Sequence, residues 1–208
     1  MKKSIIVSLL LLTAVVALGA QNAVVREASG KVEARVGTGA WSSVTVGQTL
    51  PRNATISTGF GATATLEVAN SRSEVAPLTR LTIEELADDG ETVSTGVFVP
   101  LGRVRASVEA PPDRSTDFTI RTAQSTAAVR GTEFETNGWQ LTVSEGIVEF
   151  ANLLGEGRNV SAQESSSVAD GSPSDPLDEA EAQANLGGEE LSDPVGVDPN
   201  SGTVTVRW

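Results

Sequence analysis

The sequence has 208 residues and a formal net charge of −12, with no histidine and no cysteine. The lack of both residue types excludes disulfides, His- or Cys-dependent catalysis and most transition-metal sites. Because the acidic chain carries no basic cluster, we predict repulsion from nucleic-acid backbones and from anionic lipid. We expect no nucleic-acid partner and no cofactor.

Residues 1–20 have the pattern of a secretory signal peptide. Lys2 and Lys3 precede an apolar segment at 5–18, and Gly19 and Ala20 offer small residues for cleavage. The apolar segment is too short and wrongly flanked for a spanning helix. We therefore predict export to the periplasm, or secretion to the cell surface, of a mature chain without a membrane span. An uncleaved N-terminal anchor is the alternative.

Residues 30–168, which follow a predicted linker at 21–29, have the pattern of an all-β domain. Apolar and polar residues alternate in short segments such as 32–36, 62–68 and 104–108, bounded by glycine, asparagine and proline. A period of two is typical of strands with one buried and one wet face. The predicted fold is a single sandwich, or a short solenoid-like β-roll, of short strands.

The segment 128–150 predicts a three-stranded meander. Asn137 and Gly138 suit the two-residue type I′ turn of a β-hairpin. That turn pairs Phe134 with Leu141 and places Trp139 in the core. A second tight turn close to residue 145 would then add the third strand.

Five residues at the far end of this meander form a predicted structural motif: Arg130, Gly131, Thr132, Glu145 and Gly146. The predicted register places Arg130 on the inward row, opposite Glu145. An unpaired buried charge costs several kcal/mol, so we predict an Arg130–Glu145 ion pair that fastens the turn. Arg130 as an anion-binding group is the alternative.

The C-terminal region differs in composition. Residues 169–201 are rich in Ser, Asp, Glu, Pro and Gly, which predicts a flexible acidic tail. The final residues, 202–208, alternate again and predict a strand with Val204, Val206 and Trp208 on one face. These three are the candidate partner-binding residues, because the strand can extend a partner's sheet as well as the protein's own.

Other candidate sites are weaker. Without His, Cys or Tyr, acid–base catalysis would fall on paired acids such as Glu84 with Glu85 or Asp88 with Asp89, which are more typical of a solvated turn. Calcium at Asp88 and Asp89 is an alternative, although the twelve-residue loop spacing is absent. We predict no catalytic, cofactor or metal site. Trp41 is predicted to be a packed edge residue, with a ligand contact as the alternative.

Several blocks of the sequence resemble the FecR domain. The hallmark is T-x-x-x-x-A-x-V-R-G-T-x-F followed by V-x-E-G-x-V, which this sequence carries in FTIRTAQSTAAVRGTEFE and LTVSEGIVEFAN. Upstream blocks occur in the same order as in the family, and the resemblance covers about 30–168. They are VTVGQTL (44–50), ISTGFGATATLEV (56–68) and SRSEVAPLTRLTIEEL (71–86).

This resemblance implies a β-rich periplasmic module without catalytic activity. In the iron-transport regulators that name the family, the module senses an outer-membrane transporter and signals through a membrane helix to a sigma factor. We do not expect that relay here, because the only apolar segment resembles a cleavable leader. We expect a non-enzymatic module that acts by protein–protein interaction in the cell envelope, with signal sensing as a role. The alternative is a structural or surface protein that binds polysaccharide.

Overall fold

The computed structural model describes residues 21–68, 70–168, 173–174 and 177–178, which contain eighteen β-strands and no helix. The strands are β1 (Ala23–Ser29), β2 (Val32–Val36), β3 (Ser42–Ser43), β4 (Thr49–Leu50), β5 (Ala54–Thr58), β6 (Thr63–Val68), β7 (Ser71–Val75), β8 (Arg80–Asp88), β9 (Thr92–Leu101), β10 (Val104–Val108), β11 (Ser115–Thr122), β12 (Ser125–Val129), β13 (Thr132–Thr136), β14 (Gln140–Glu145), β15 (Ile147–Asn152), β16 (Gly157–Ser161), β17 (Glu164–Ser167) and β18 (Leu177–Asp178).

The strands form two nine-stranded sheets. Sheet 1 has the order β18-β17-β14-β13-β10-β7-β6-β1-β4, and sheet 2 has the order β16-β15-β12-β11-β9-β8-β5-β2-β3. Neighbouring strands are antiparallel except β9 and β11, which are parallel because the chain passes through β10 in sheet 1 between them. The chain moves from one sheet to the other after every one or two strands. The predicted all-β, sandwich-like fold is confirmed.

The core lies between the sheets and is built from the alternate residues of each strand. Phe118, Phe134 and Phe150, from β11, β13 and β15, are the largest of its fully buried side chains. Burial of one such side chain contributes about 1.5–3 kcal/mol, and a chain without disulfides depends on this term. The predicted inward residues of β6 and β10 are buried, whereas Val36, at the end of β2, is 54% exposed.

The predicted linker at 21–29 is wrong, because Ala23–Ser29 forms β1. Ala23 and Val25 are fully buried, and β1 pairs with both β4 and β6. The register between β1 and β6 shifts between Val25 and Glu27. This irregularity interrupts the period of two, which explains why alternation does not reveal the strand.

The predicted two-residue turn is also wrong. Thr136 pairs with Leu141 and β14 begins at Gln140, so residues 137–139 form the connection between β13 and β14. The Oδ1 atom of Asn137 accepts hydrogen bonds from the backbone N–H groups of Trp139 (3.0 Å) and Gln140 (2.9 Å), which closes a longer loop. Pairing is displaced by two residues, and Trp139 lies in the loop with 50% exposure instead of in the core.

The third strand of the predicted meander belongs to the other sheet. β15 pairs with β12 and β16 in sheet 2, whereas β14 pairs with β13 and β17 in sheet 1. The chain crosses between the sheets at Gly146, which has a φ of +83°. A Cβ atom on Gly146 would lie 2.7 Å from the carbonyl oxygen of Gly131. The close contact of two backbones, which glycine permits, therefore replaces the predicted hairpin.

Three predicted segments lie wholly or mainly outside the described residues. They are the signal peptide at 1–20, most of the acidic tail at 169–201, and the C-terminal strand with Val204, Val206 and Trp208. Within the tail, the backbone of β18 pairs with β17, and the backbone N–H of Ser174 donates to the carbonyl of Ser167 at 2.7 Å. Ordered structure therefore continues beyond residue 168.

Candidate functional site

Three of the five predicted motif residues lie together where the chain crosses between the sheets. Gly146 packs against Gly131, and the hydroxyl of Thr132 donates to the carbonyl of Ile147 at 3.1 Å. Thr132 is only 4% exposed. These residues join the β12–β13 crossing to the β14–β15 crossing.

Arg130 and Glu145, the other two motif residues, do not form the predicted pair. The Nε of Arg130 donates to the Oδ1 of Asp117 at 3.0 Å, and the Arg130 side chain is 80% exposed. Glu145 is exposed and lies opposite Glu133, after a register shift between Glu133 and Phe134. One extra residue on β14 turns Glu145 outward, so the two predicted partners face away from each other.

A shallow groove of about 700 Å³ crosses the outer face of sheet 2 near Arg130. Thr119 and Ala128 form its floor, and Gly96 is next in the same cross-strand row. Glu85 pairs with Gly96 in the register at one end, and Glu149 pairs with Ala128 at the other. We call this feature the Glu85–Glu149 groove. Its floor is low because glycine, alanine and threonine have short side chains.

Ion pairs border the groove on both sides. The Asp117–Arg130 pair forms one side. On the other side, Arg121 makes a bidentate contact with Glu84, through Nε to Oε2 at 3.0 Å and Nη2 to Oε1 at 2.8 Å, and this hydrogen bonding raises the pKa of Arg121. The Arg121 guanidinium also lies 5.3 Å from the centre of the Phe98 ring. These exposed pairs shape the groove more than they stabilise the fold.

The carboxylates of Glu85 and Glu149 differ from those of the bordering pairs. Both residues are exposed, and neither makes a side-chain hydrogen bond or an ion pair within the described part of the chain. Ile147, which is 57% exposed, adds an apolar side chain to the lining. The groove therefore offers two uncompensated negative charges and one apolar contact, which suits a basic protein segment.

The paired acids at the β8–β9 turn fix local structure. The oxygens of Asp88 accept from Nη1 of Arg114 (3.0 and 2.9 Å), from Gln21 (3.0 Å) and from the backbone N–H of Gly90 (2.9 Å). The Gly90 N–H first, and the Arg114 guanidinium second, hold the pKa of Asp88 below its usual value. Asp89 accepts from backbone N–H groups of the same turn. Among the described residues, no group of three or more acidic side chains is arranged to hold a metal ion.

Trp41 lies beside the edge strand β3, as predicted, but it is 36% exposed and is therefore only partly packed. The guanidinium carbons of Arg35 and Arg80 lie 4.7 and 5.6 Å from the centre of its ring. Arg35 and Arg80 therefore both lie close to the Trp41 ring. The exposed Phe60 and Trp139 lie on turns and not beside Trp41.

A family model described as FecR protein matches residues 54–149, from the start of β5 into β15. Residues 54–149 form a FecR domain. Such domains are regulatory, signalling modules rather than enzymes. The Glu85–Glu149 groove lies within the FecR domain, since both of its terminal carboxylates fall in the matched range.

Comparison with solved structures also gives matches. Two crystal structures of a candidate anti-sigma factor from Parabacteroides distasonis ATCC 8503 are similar to this chain, with TM-scores of 0.48 and 0.49 and 17% identity. Each match covers 64% of this chain and 64% or 63% of the solved chain, so this chain spans just under two thirds of those proteins. Comparison with curated proteins gives no match. In the part of the chain that the structure describes, no helix has the length and apolarity to cross a membrane.

Sequence reasoning did not single out Glu85 and Glu149 as a pair. A signal was present, because strand alternation turns Thr119 and Ala128 outward and both are small. The sequence patterns do not give the order of the strands in the sheet. In the structure, the parallel pairing of β9 with β11 brings Gly96 beside Thr119. That pairing depends on β10 leaving the sheet, which local patterns do not reveal.

Proposed function

We propose that this protein is a non-enzymatic signalling module that acts by protein–protein contact in the cell envelope. In this proposal, the Glu85–Glu149 groove is the contact surface, and it binds a basic segment of an envelope partner. The single observation that carries the proposal is the presence of two unpaired carboxylates at the ends of a small-residue floor, inside a FecR domain.

The geometry of the floor supports a protein segment as the occupant. The groove runs across the strands, and adjacent strands are about 4.8 Å apart. Glu85 lies on β8 and Glu149 on β15, with β9, β11 and β12 between them, so the two carboxylates are separated by roughly 20 Å. A segment of six or seven extended residues spans that distance. The bordering pairs, Asp117–Arg130 and Arg121–Glu84, limit sideways movement of such a segment.

The electrostatics support a basic segment. Asp117 and Glu84 are already neutralised by arginines, which leaves Glu85 and Glu149 as the charges available to a partner. Charge complementarity of this kind accelerates encounter and selects partners more than it adds affinity. Ile147 supplies an apolar contact beside Glu149.

The test is site-specific photo-crosslinking in the native envelope. A crosslinking amino acid at Thr119, on the groove floor, is expected to capture one dominant envelope protein. The same amino acid at Thr142, on the outer face of sheet 1, is the positional control and is not expected to capture it. The captured protein should contain a segment rich in lysine and arginine at the crosslinked position.

A matched pair of charge reversals completes the test. Glu85→Lys with Glu149→Lys is expected to lower the crosslinking yield from Thr119 by about tenfold, because two attractive contacts become repulsive. Glu27→Lys with Glu74→Lys makes the same change in net charge on exposed residues of sheet 1 and should leave the yield unchanged. An equal loss in both double variants, or equal capture from Thr142, would exclude the groove as the contact surface.

A further inference from the structure

Large exposed apolar side chains are concentrated at one end of the sandwich, which we call the turn end. It comprises the turns that follow β1, β5, β7, β9, β11, β13 and β15. Of the ten large hydrophobic residues that are exposed in the described part of the chain, five lie on these turns and a sixth, Leu101, is the last residue of β9, so the six are not scattered at random over the surface. They are Phe60 (92% exposed), Leu78 (57%), Leu101 (68%), Trp139 (50%), Leu153 (66%) and Leu154 (84%).

Hydrogen bonds between neighbouring turns show that the turn end is one surface. The backbone N–H of Leu78 donates to the carbonyl of Gly59 at 3.2 Å, and that of Ala76 donates to the carbonyl of Arg103 at 3.1 Å. Further along the same end, the hydroxyl of Ser125 donates to the carbonyl of Gly138 at 2.7 Å. These bonds link turns that are distant in sequence, and the pairing of Val104 with Thr136 and of Ser125 with Asn152 places the remaining turns beside them.

The turn that carries Leu78 is fixed by a hydrogen bond to the buried Thr79 side chain. Thr79 is 1% exposed, and its hydroxyl accepts from the N–H of Arg103 at 3.0 Å. Leu78, just before it, has a φ of +56°, a conformation that non-glycine residues rarely adopt. Strain that the surroundings maintain is a feature of functional sites. At Leu78 this conformation accompanies a side chain that is 57% exposed.

Basic side chains accompany the apolar tips. Lys31 and Arg103 lie on the turns, and the exposed Arg80 begins the strand that follows Leu78. The acidic Glu156 on the last turn accepts a hydrogen bond from Nδ2 of Asn152 at 2.8 Å. The carboxylates that pair with Lys31 and Arg103 belong to strands β2 and β13, further from the tips. Among the described residues, the outermost charges of the turn end are therefore mainly positive.

The opposite end of the sandwich carries more acidic than basic residues on its connections. Its connections carry Asp89, Glu91, Glu109 and Asp113, together with three arginines. A strand of six residues is about 20 Å long, whereas the Debye length is about 8 Å at physiological ionic strength. The acidic residues of these opposite connections are thus largely screened from a surface that contacts only the turn end.

We propose that the turn end binds the surface of a lipid bilayer that contains anionic lipid. Phe60 lies between two glycines, and Leu101, Trp139 and Leu154 each adjoin one, so the apolar side chains project singly from narrow turns. Single tips need no complementary pocket and insert between lipid headgroups. Aromatic and leucine side chains beside lysine and arginine are the composition of protein surfaces that bind membranes peripherally. This proposal is independent of the Glu85–Glu149 groove.

Vesicle binding of the chain from Gln21 tests this proposal. That chain contains every described strand, and it lacks the apolar segment at 5–18, which would enter lipid by itself. Co-sedimentation is measured with vesicles of phosphatidylcholine alone and with vesicles that also contain phosphatidylglycerol. We expect binding to the mixed vesicles, weaker binding to phosphatidylcholine, and a decrease at high salt. Equal binding to both vesicle types would overturn the assignment to anionic lipid.

A triple tip variant and a control variant give the comparison. Phe60→Ser, Leu101→Ser and Leu154→Ser together are expected to lower the partition coefficient about 1,000-fold, since each tip contributes about tenfold. The control is Val36→Ser with Trp41→Ser, because both residues are exposed and lie at the β2–β3 connection, away from the turn end. The control should bind as the unmodified chain does. Similar losses in the tip variant and the control would refute the proposal, provided that their unfolding midpoints are unchanged.

Tryptophan fluorescence gives a direct readout of orientation. A chain that retains only Trp139 should be quenched by lipid brominated near the headgroup, whereas a chain that retains only Trp41 should not be. Quenching of Trp41 alone, or of neither residue, would refute the docking geometry. If sedimentation equilibrium instead revealed a dimer that the triple tip variant abolishes, with no vesicle binding, a second copy of this chain would be the occupant and the lipid proposal would be wrong.

Discussion

Replacing Gly102 with alanine tests the tightest contact at the turn end. Gly102 has a φ of +100°, and a Cβ atom there would lie 2.2 Å from Oγ1 and 2.5 Å from Cα of Thr79. The left-handed backbone costs alanine about 1–2 kcal/mol. The overlap with the Thr79 backbone, which cannot be relieved by a side-chain rotation, costs about 1–3 kcal/mol more. We expect Gly102→Ala to lower the free energy of unfolding by about 2–5 kcal/mol.

Gly90→Ala provides the matched control for this prediction. Gly90 has a similar φ of +90°, but no atom lies within 4 Å of the position that a Cβ would occupy. It should therefore lose only the backbone term, about 1–2 kcal/mol. Urea unfolding at neutral pH, followed by tryptophan fluorescence and by circular dichroism, measures both variants. If Gly102→Ala cost no more than Gly90→Ala, the reasoning from close packing against Thr79 would be refuted.

Three further predictions use the same unfolding assay. Phe134→Ala should lower the free energy of unfolding by about 3–5 kcal/mol because Phe134 is fully buried. Phe60→Ala should change it by less than about 0.5 kcal/mol because Phe60 is 92% exposed. Similar losses in the two variants would contradict the described core. Arg130→Ala should lower the free energy of unfolding by less than about 1 kcal/mol, since its ion pair with Asp117 is exposed. A loss of about 3 kcal/mol or more would instead favour the buried Arg130–Glu145 pair that the sequence predicted. Hydrogen-bond donors hold the pKa of Asp88 below its usual value in the folded protein. The ionised carboxylate therefore contributes to the free energy of unfolding at every pH above the unfolded carboxyl pKa of about 3.9. This contribution is lost as the pH falls through the lower pKa of the folded state. The stability difference between the unmodified chain and Asp88→Asn should therefore narrow between pH 6 and pH 3, and a constant difference would contradict this assignment.

Much of the fold could be predicted because alternation is a local property. Val104, Ala106 and Val108 were predicted to face inward, and all are 4% exposed or less. Turn geometry was less predictable. Asn137 and Gly138 suit a two-residue turn, but the side chain of Asn137 can also accept from N–H groups two and three residues ahead, and the structure has this longer loop. Both turns satisfy local chemistry, so the choice depends on tertiary packing.

The candidate site was less predictable than the fold because it depends on residues that meet across strands. The prediction for Arg130 carried one register through the whole segment, and a single extra residue on β14 was enough to turn Glu145 to the other face. The net charge also hides where on the molecule the individual charges lie. The net charge of −12 predicted repulsion from anionic lipid, but an average does not record that Lys31 and Arg103 lie on the same end as the apolar tips. These basic and apolar side chains come to the same end only when the strands pair.

The two proposed surfaces are compatible in one molecule because they are perpendicular to each other. The Glu85–Glu149 groove lies on a sheet face, roughly midway along the strands, whereas the turn end lies where those strands finish. Contact of the turn end with a bilayer would orient the strands away from the membrane plane and leave both outer sheet faces uncovered. A partner anchored in the same membrane could then reach the groove from the side. Membrane contact would raise the local concentration of both proteins, so a weak contact dominated by charge would be sufficient for signalling.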